Sequence, residues 1–180
     1  MKAILLSAGL GNRLLPITES VPKSMIKIAG KPILEHILND LIIAGFDDFC
    51  IVVGHQAKQI KEYFQSWKED LVNITFVTQE NLTGTANALY CAKNFAENDN
   101  FLVCLSDTLI PYDLKNILSK IIKDTDEISL ISSNTYSNVS NSVGNIIIKD
   151  NFVTSLSEKS NKLSSNLAWA GLAFFQNNFI

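Results

Sequence analysis

MKAILLSAGLGNRLLPITESVPKSMIKIAGKPILEHILNDLIIAG, residues 1 to 45, is the stretch that decides the fold class. It opens on an apolar run, Lys2 to Ser7, read as a strand. A loop rich in Gly and Pro follows. Pro32 then opens a pattern in which Ile33, Leu34, Ile37, Leu38, Leu41 and Ile42 recur at helical spacing until Gly45 closes it. The order is strand, loop, helix. A signal peptide would need a more basic start than Lys2 alone and an apolar run of roughly seven to fifteen residues, longer than this one.

Outward from this stretch the cycle repeats. Phe49 to Val53 reads as a second strand with a helix from about Gln56 to Trp67, Ile74 to Val77 as a third with a helix from about Thr85 to Phe95, and Phe101 to Leu105 as a fourth with a helix from about Tyr112 to Ile122. Strands alternating with helices imply right-handed crossovers and a mainly parallel sheet covered on both faces, a three-layer Rossmann-like α/β fold. Beyond Ile122 the pattern changes to short strands at Ile128 to Ser132, Asn145 to Ile148 and Phe152 to Leu156, which predicts a small antiparallel lobe. The 180 residues, 47% of them apolar, suit one domain, divided into a main part over 1–125 and the lobe over 126–180.

Composition excludes several classes. A net charge of −3 with acids and bases interspersed offers no basic stripe for a nucleic-acid backbone. No run approaches the ~18 apolar residues of a membrane span, so a cytoplasmic protein is expected and the sequons at Asn73, Asn81 and Asn138 carry no meaning. Cys50, Cys91 and Cys104 are odd in number and lack close pairing, as buried thiols in a reducing compartment would. His36 and His55 lack zinc-ligand spacing and read as structural. Trp67, Trp169 and most of the Phe residues read as core.

In open α/β sheets ligands bind beyond the carboxyl ends of the strands. There the chain supplies SAGLGNRLLPITESVPK after the first strand, QENLTGT after the third and SDT after the fourth. Gly9 and Gly11 would let backbone N–H groups approach a phosphate, with Arg13 and Lys23 adding positive charge; a tight turn is the competing reading of those glycines. A dinucleotide fingerprint would need glycine at Leu14, an uninterrupted helix where Pro16 and Pro22 stand, and an acid where Gly54 and His55 stand. A P-loop fails because Gly30 and Lys31 are followed by Pro32. Asp107, directly past an apolar strand, reads either as a carboxylate buried against a cleft and paired with magnesium or as a turn or helix N-cap aspartate. Gln79 and Gly84 could meet the edge of a nucleobase, or Gln79 could be solvated.

The segment AGLGNRLLPITESVPKSMIKIAGKPILEH closely resembles the N-terminal signature of the sugar-phosphate nucleotidyltransferases, the sugar-nucleotide pyrophosphorylases. Within it Arg13 and Lys23 match the catalytic pair of cations, and Leu6, Ala8, Gly9 and Gly11 match the nucleotide-contacting backbone. The resemblance continues through QENLTGTANAL, where Gln79 and Gly84 match the segment meeting a pyrimidine base in members that use UTP or dTTP. Asp107 matches a magnesium ligand, Gly144, Glu158 and Lys159 match positions holding the sugar and its phosphate, and AGLAFF from Ala170 resembles the strand lining the sugar pocket. Departures are Asn12 for a small hydroxyl residue, Ser106 for Gly before the aspartate, Ser160 for Pro after Glu-Lys, and Ala173 for an aromatic. The family's second metal-binding aspartate would lie past Ile180, as expected of a C-terminally truncated chain or of a divergent member.

The resemblance implies the nucleotide-diphospho-sugar transferase fold, Mg2+ as cofactor, and a nucleoside triphosphate and a sugar 1-phosphate as partners. It leaves a homo-oligomer open. The implied reaction is an in-line displacement in which a sugar phosphate oxygen attacks the α-phosphorus. A phosphate monoester is already largely dianionic at neutral pH, its second pKa being about 6, so the enzyme supplies positioning and charge rather than a general base. The alternatives are a non-catalytic nucleotide- or sugar-binding module and a cytidylyltransferase acting on phosphocholine or a similar phosphate.

Overall fold

The computed structural model describes residues 1–67, 72–97, 99–109, 113–124, 129–134, 144–150, 152–157 and 165–176. The chain forms two compact units, Met1–Ser129 with Phe174–Ile180, and Leu130–Ala173. No helix among the described residues is long and apolar enough to cross a membrane.

In the first unit β1 (Lys2–Ser7) leads into a ribbon of β2 (Lys27–Ile28) and β3 (Lys31–Pro32), then α1 (Ile33–Ile43), β4 (Asp48–Val53), α2 (Ala57–Gln65), β5 (Asn73–Thr78), α3 (Thr85–Cys91), α4 (Lys93–Ala96), β6 (Phe101–Leu105) and α5 (Leu114–Asp124). The sheet runs β5-β4-β1-β6, every pairing parallel, with Lys2 opposite Asp48 on one side and Phe101 on the other. A strand covered on both faces needs a continuous apolar run rather than an alternating one. That is what β1 and β4 carry, for Ala3, Ile4, Leu5 and Phe49 through Val53 are wholly buried. Strand β5 alternates between exposed and half-buried positions instead. In α1 the periodic residues Ile33, Leu34, Ile37, Leu38 and Leu41 are buried as the spacing predicts. Because all four strands point one way, the segments that follow them lie along one edge of the sheet.

In the second unit both pairings of the strand at Asn145–Lys149 are antiparallel. β7 (Ser129–Asn134) pairs with β10 (Leu167–Phe175), and β8 (Asn145–Lys149) lies between β10 and β9 (Phe152–Ser157), with a register shift at Ile147 and Ile148. Asn145 is buried there and donates from Nδ2 to the Ser165 and Leu167 carbonyls at 2.9 and 3.1 Å, so its amide does not go unsatisfied. The last two residues of β10 return to the first unit, where the Phe175 ring stacks on Phe101 at 5.0 Å.

Two expectations need correction, the unbroken third helix and the burial of the Trp residues. The helix expected over Thr85 to Phe95 is broken at Ala92, where i→i+3 bonds replace the α ladder while Ala88, Ala92 and Ala96 stay buried. The helix expected from about Tyr112 to Ile122 spans Leu114–Asp124, with Asp113 accepting the Asn116 N–H at 3.1 Å as its cap. Trp67 and Trp169 are half-buried rather than core, the latter because its indole N–H donates to the Leu172 carbonyl at 2.9 Å. Most of the described Phe residues are core as expected, Phe46, Phe49, Phe64, Phe101 and Phe174 being buried, while Phe152 is exposed.

Candidate functional site

The loop after β1 is ordered by three single 3₁₀ turns, Asn12–Leu14, Ile17–Glu19 and Lys23–Met25, the last two opened by Pro16 and Pro22. Gly11 begins the first turn at φ 69°. The Thr18 hydroxyl donates to its carbonyl at 3.0 Å. A Cβ on Gly11 would stand 2.8 Å from Thr18 Cγ2 and 3.3 Å from Lys23 Cβ, so only glycine lets the loop fold back on itself here. The loop is pinned from two further sides. Buried Ser7 and Ser24 share a hydrogen bond of 2.6 Å, which sets the turn carrying Lys23 against the end of β1. Gln56 donates to the Glu19 carbonyl at 2.7 Å, and Gln59 donates to the Ser20 carbonyl at 2.7 Å.

Held in this way, the Lys23 ammonium forms an ion pair with Asp107, just past β6. The expectation that Asp107 is buried and therefore needs a metal for charge balance does not hold on that argument. The residue is exposed, it sits in a turn rather than capping a helix, and a lysine already faces it. Ser106 beside it is buried, its hydroxyl donating to the Leu6 carbonyl at 2.7 Å. Arg13 is exposed on the first turn, and Gly9 has open space where a side chain would be.

The segment after β5 meets the same edge. Gln79 is 4% exposed, so it is not a solvated loop residue. Its Nε2 donates to the Gly84 carbonyl at 3.1 Å and to Asn87 Oδ1 at 2.8 Å. Leu82 from this segment and Ala8 from the first loop both close on Gly54, where a Cβ would lie 2.9 Å from Leu82 Cδ2 and from the Ala8 Cβ and carbonyl oxygen. Gly54, read only as a missing acid, is thus the point at which three strand ends touch. Neither it nor the clamps Gln56 and Gln59 carries a local sequence signal, since each acts on residues distant in the chain.

The structure therefore gathers Leu6, Ala8, Gly9, Gly11, Arg13, Lys23, Gln79, Gly84 and Asp107 along one edge of the first unit's sheet. Gly144 belongs to the second unit, where its carbonyl accepts the Trp169 N–H at 2.9 Å. Glu158 and Lys159 lie outside the described residues. His36 is engaged structurally through Nε2 with the Ile28 carbonyl at 2.8 Å. Burial pushes the Cys50 and Cys104 thiols up to about 12, helped by the charges of Asp48 and Asp107 respectively, so both stay protonated at neutral pH. Cys91 is half-buried, and among the described residues no three His, Cys, Asp or Glu side chains gather as a metal cluster.

A family model described as nucleotidyl transferase matches residues 2–180. The bifunctional protein GlmU of Methanococcus maripaludis is 39% identical over 183 residues, covering 99% of this chain and 41% of its own length. The low-salt glycan biosynthesis nucleotidyltransferase Agl11 of Haloferax volcanii is 30% identical over 176 residues, covering 97% of this chain and 49% of its own length. The chain thus spans between two fifths and one half of these relatives. A solved UDP-glucose pyrophosphorylase complexed with UDP-glucose superposes with a TM-score of 0.86 at 23% identity, covering 97% of this chain and 75% of that one, which shows a shared fold.

Proposed function

This chain belongs to the nucleotidyl transferase family, and from that membership we propose that it transfers a nucleotidyl group from UTP or dTTP to a sugar 1-phosphate, giving an NDP-sugar and pyrophosphate. The observation that carries the reading is the Lys23–Asp107 ion pair, which brings together at one strand edge two residues 84 apart in sequence. A cation on a tightly pinned loop beside a glycine-lined backbone suits a polyphosphate.

In this mechanism the backbone of Leu6, Ala8, Gly9 and Gly11 cradles the triphosphate. Arg13 holds the departing pyrophosphate, and Lys23 neutralises the phosphates flanking the reacting α-phosphorus. Gln79 and Gly84 take the base, while Gly144, Glu158 and Lys159 take the sugar phosphate. Charge developing on the phosphate oxygens is met by groups fixed in place beforehand, which is where such catalysis gains most. Magnesium commonly takes one or two carboxylates and completes its shell with water and substrate phosphate oxygens. Asp107, an exposed hard-oxygen donor steadied by a hydrogen bond from the Thr108 hydroxyl at 3.1 Å, fits that modest demand and would hold the ion. Bound there, magnesium would supply further charge neutralisation at the phosphates.

The test is to incubate the chain with magnesium, each of the four common nucleoside triphosphates and a panel of hexose 1-phosphates, following pyrophosphate release. Release that requires both UTP or dTTP and a sugar phosphate is the expected result. Binding without release would favour a nucleotide-binding module, release with CTP and phosphocholine a cytidylyltransferase, and absence of binding would remove the proposal.

A further inference from the structure

The side chain of Gln79 has a fixed polarity. A backbone carbonyl can only accept, so the Gln79 atom 3.1 Å from the Gly84 oxygen is the amide nitrogen. That carbonyl also accepts the Ala88 N–H at 3.1 Å, the first bond of α3. The same Gln79 nitrogen donates to Asn87 Oδ1 at 2.8 Å. Turning the amide over would set its oxygen against two acceptors at once. Oε1 is therefore left outward: among the described residues it accepts no hydrogen bond. Since no side-chain oxygen or nitrogen among them is buried without a partner, Oε1 reaches the surface. Beside it Gly84 leaves open space where a side chain would be.

We propose that Asn87 is a positioning residue: by holding the amide nitrogen of Gln79 inward, it presents Oε1 as a fixed acceptor that selects pyrimidine triphosphates carrying an N3–H, uracil or thymine, against cytosine. The inference rests on the nucleotide reading of Gln79 and Gly84 given above. Uracil and thymine offer a donor at N3, whereas cytosine offers an acceptor there. Two acceptors facing each other in a partly dehydrated site leave both unpaired, which is the strongest way a small site rejects a near-isostere. Asn87 does not touch the base. It stands in the first turn of α3, and its role is to keep a rotatable amide from adapting to the wrong ligand.

The experiment titrates the whole chain with UTP and with CTP in magnesium, by calorimetry, for the unaltered protein, Asn87→Ala and Asn87→Asp. The unaltered chain is expected to prefer UTP by at least about tenfold, the scale of one hydrogen bond lost and one acceptor stranded. Asn87→Ala should bring that ratio most of the way to unity. Asn87→Asp, whose carboxylate accepts from Gln79 as the amide oxygen does, should restore it. A purely structural role would weaken both triphosphates alike and leave the ratio unmoved. An unchanged ratio in Asn87→Ala, a ratio lost equally in Asn87→Asp, or equal binding of UTP and CTP by the unaltered chain overturns the inference while leaving the nucleotidyltransferase reading intact. Binding of neither triphosphate overturns both.

Discussion

Lys23 and Asp107 oppose each other across the candidate site, and each is about one-third exposed. An ion pair so placed contributes only about 0–1 kcal/mol to stability. Its removal should therefore show in chemistry rather than in folding. Lys23→Ala is expected to lower pyrophosphate release by about a hundredfold or more, the scale seen when a preorganised charge is removed, with the thermal midpoint nearly unmoved. Asp107→Asn should remove most of the magnesium dependence; a variant keeping the same metal optimum would count against that role. Gly11 is the opposite case, a residue whose loss is steric. Gly11→Ala forces a left-handed alanine into Thr18 and should cost about 2 kcal/mol in urea unfolding. A midpoint equal to that of the unaltered chain would mean the loop simply gives way.

Among the elements, the β2–β3 ribbon shows what local sequence can and cannot announce. Its two linking residues, Ala29 at φ 49° and Gly30 at φ 85°, make a turn in which both central positions are left-handed. Such turns favour Asn-Gly, and alanine at the first position is under strain. Ala29→Asn should raise stability by about 0.5–1 kcal/mol, read as a higher melting temperature with unchanged nucleotide binding. The strands and helices of the first unit were legible because β1 and β4 carry continuous apolar runs, Ala3 to Leu6 and Phe49 to Val53, and α1 is apolar at helical spacing. The interior of the first loop was not. Its shape comes from Ser7 on Ser24 and from Gln56 on Glu19, contacts 17 and 37 residues apart that leave no periodic trace. The same holds for the pairing of Lys23 with Asp107, two residues whose types were readable while their meeting was not.

At the level of the whole molecule, buried Glu35 joins three elements, receiving Lys31 Nζ from β3 at 2.9 Å and the Tyr63 hydroxyl from α2. Burial works to raise its pKa, but the hydrogen bonds from Tyr63 and Lys31 and the charges of Lys31 and His36 outweigh it and hold the carboxyl below its ordinary range. A carboxyl lowered on folding adds stability above its unfolded pKa and loses it as pH falls through the folded one. The Tyr63 phenol, pushed up to about 12 by its bond to Glu35 and by burial, adds stability that is lost as pH rises toward that value. Tyr63→Phe should accordingly lower stability by about 1–2 kcal/mol at neutral pH and move the acid limb of a stability-against-pH curve upward. A curve merely offset at every pH would refute the coupling. Finally, the stacking of Phe175 on Phe101 has a consequence for synthesis. The first unit draws on residues from both sides of the second, so a ribosome must release the chain through Phe175 before that core can close, and a nascent chain stalled any earlier would keep the Phe101 ring uncovered and within reach of chaperones.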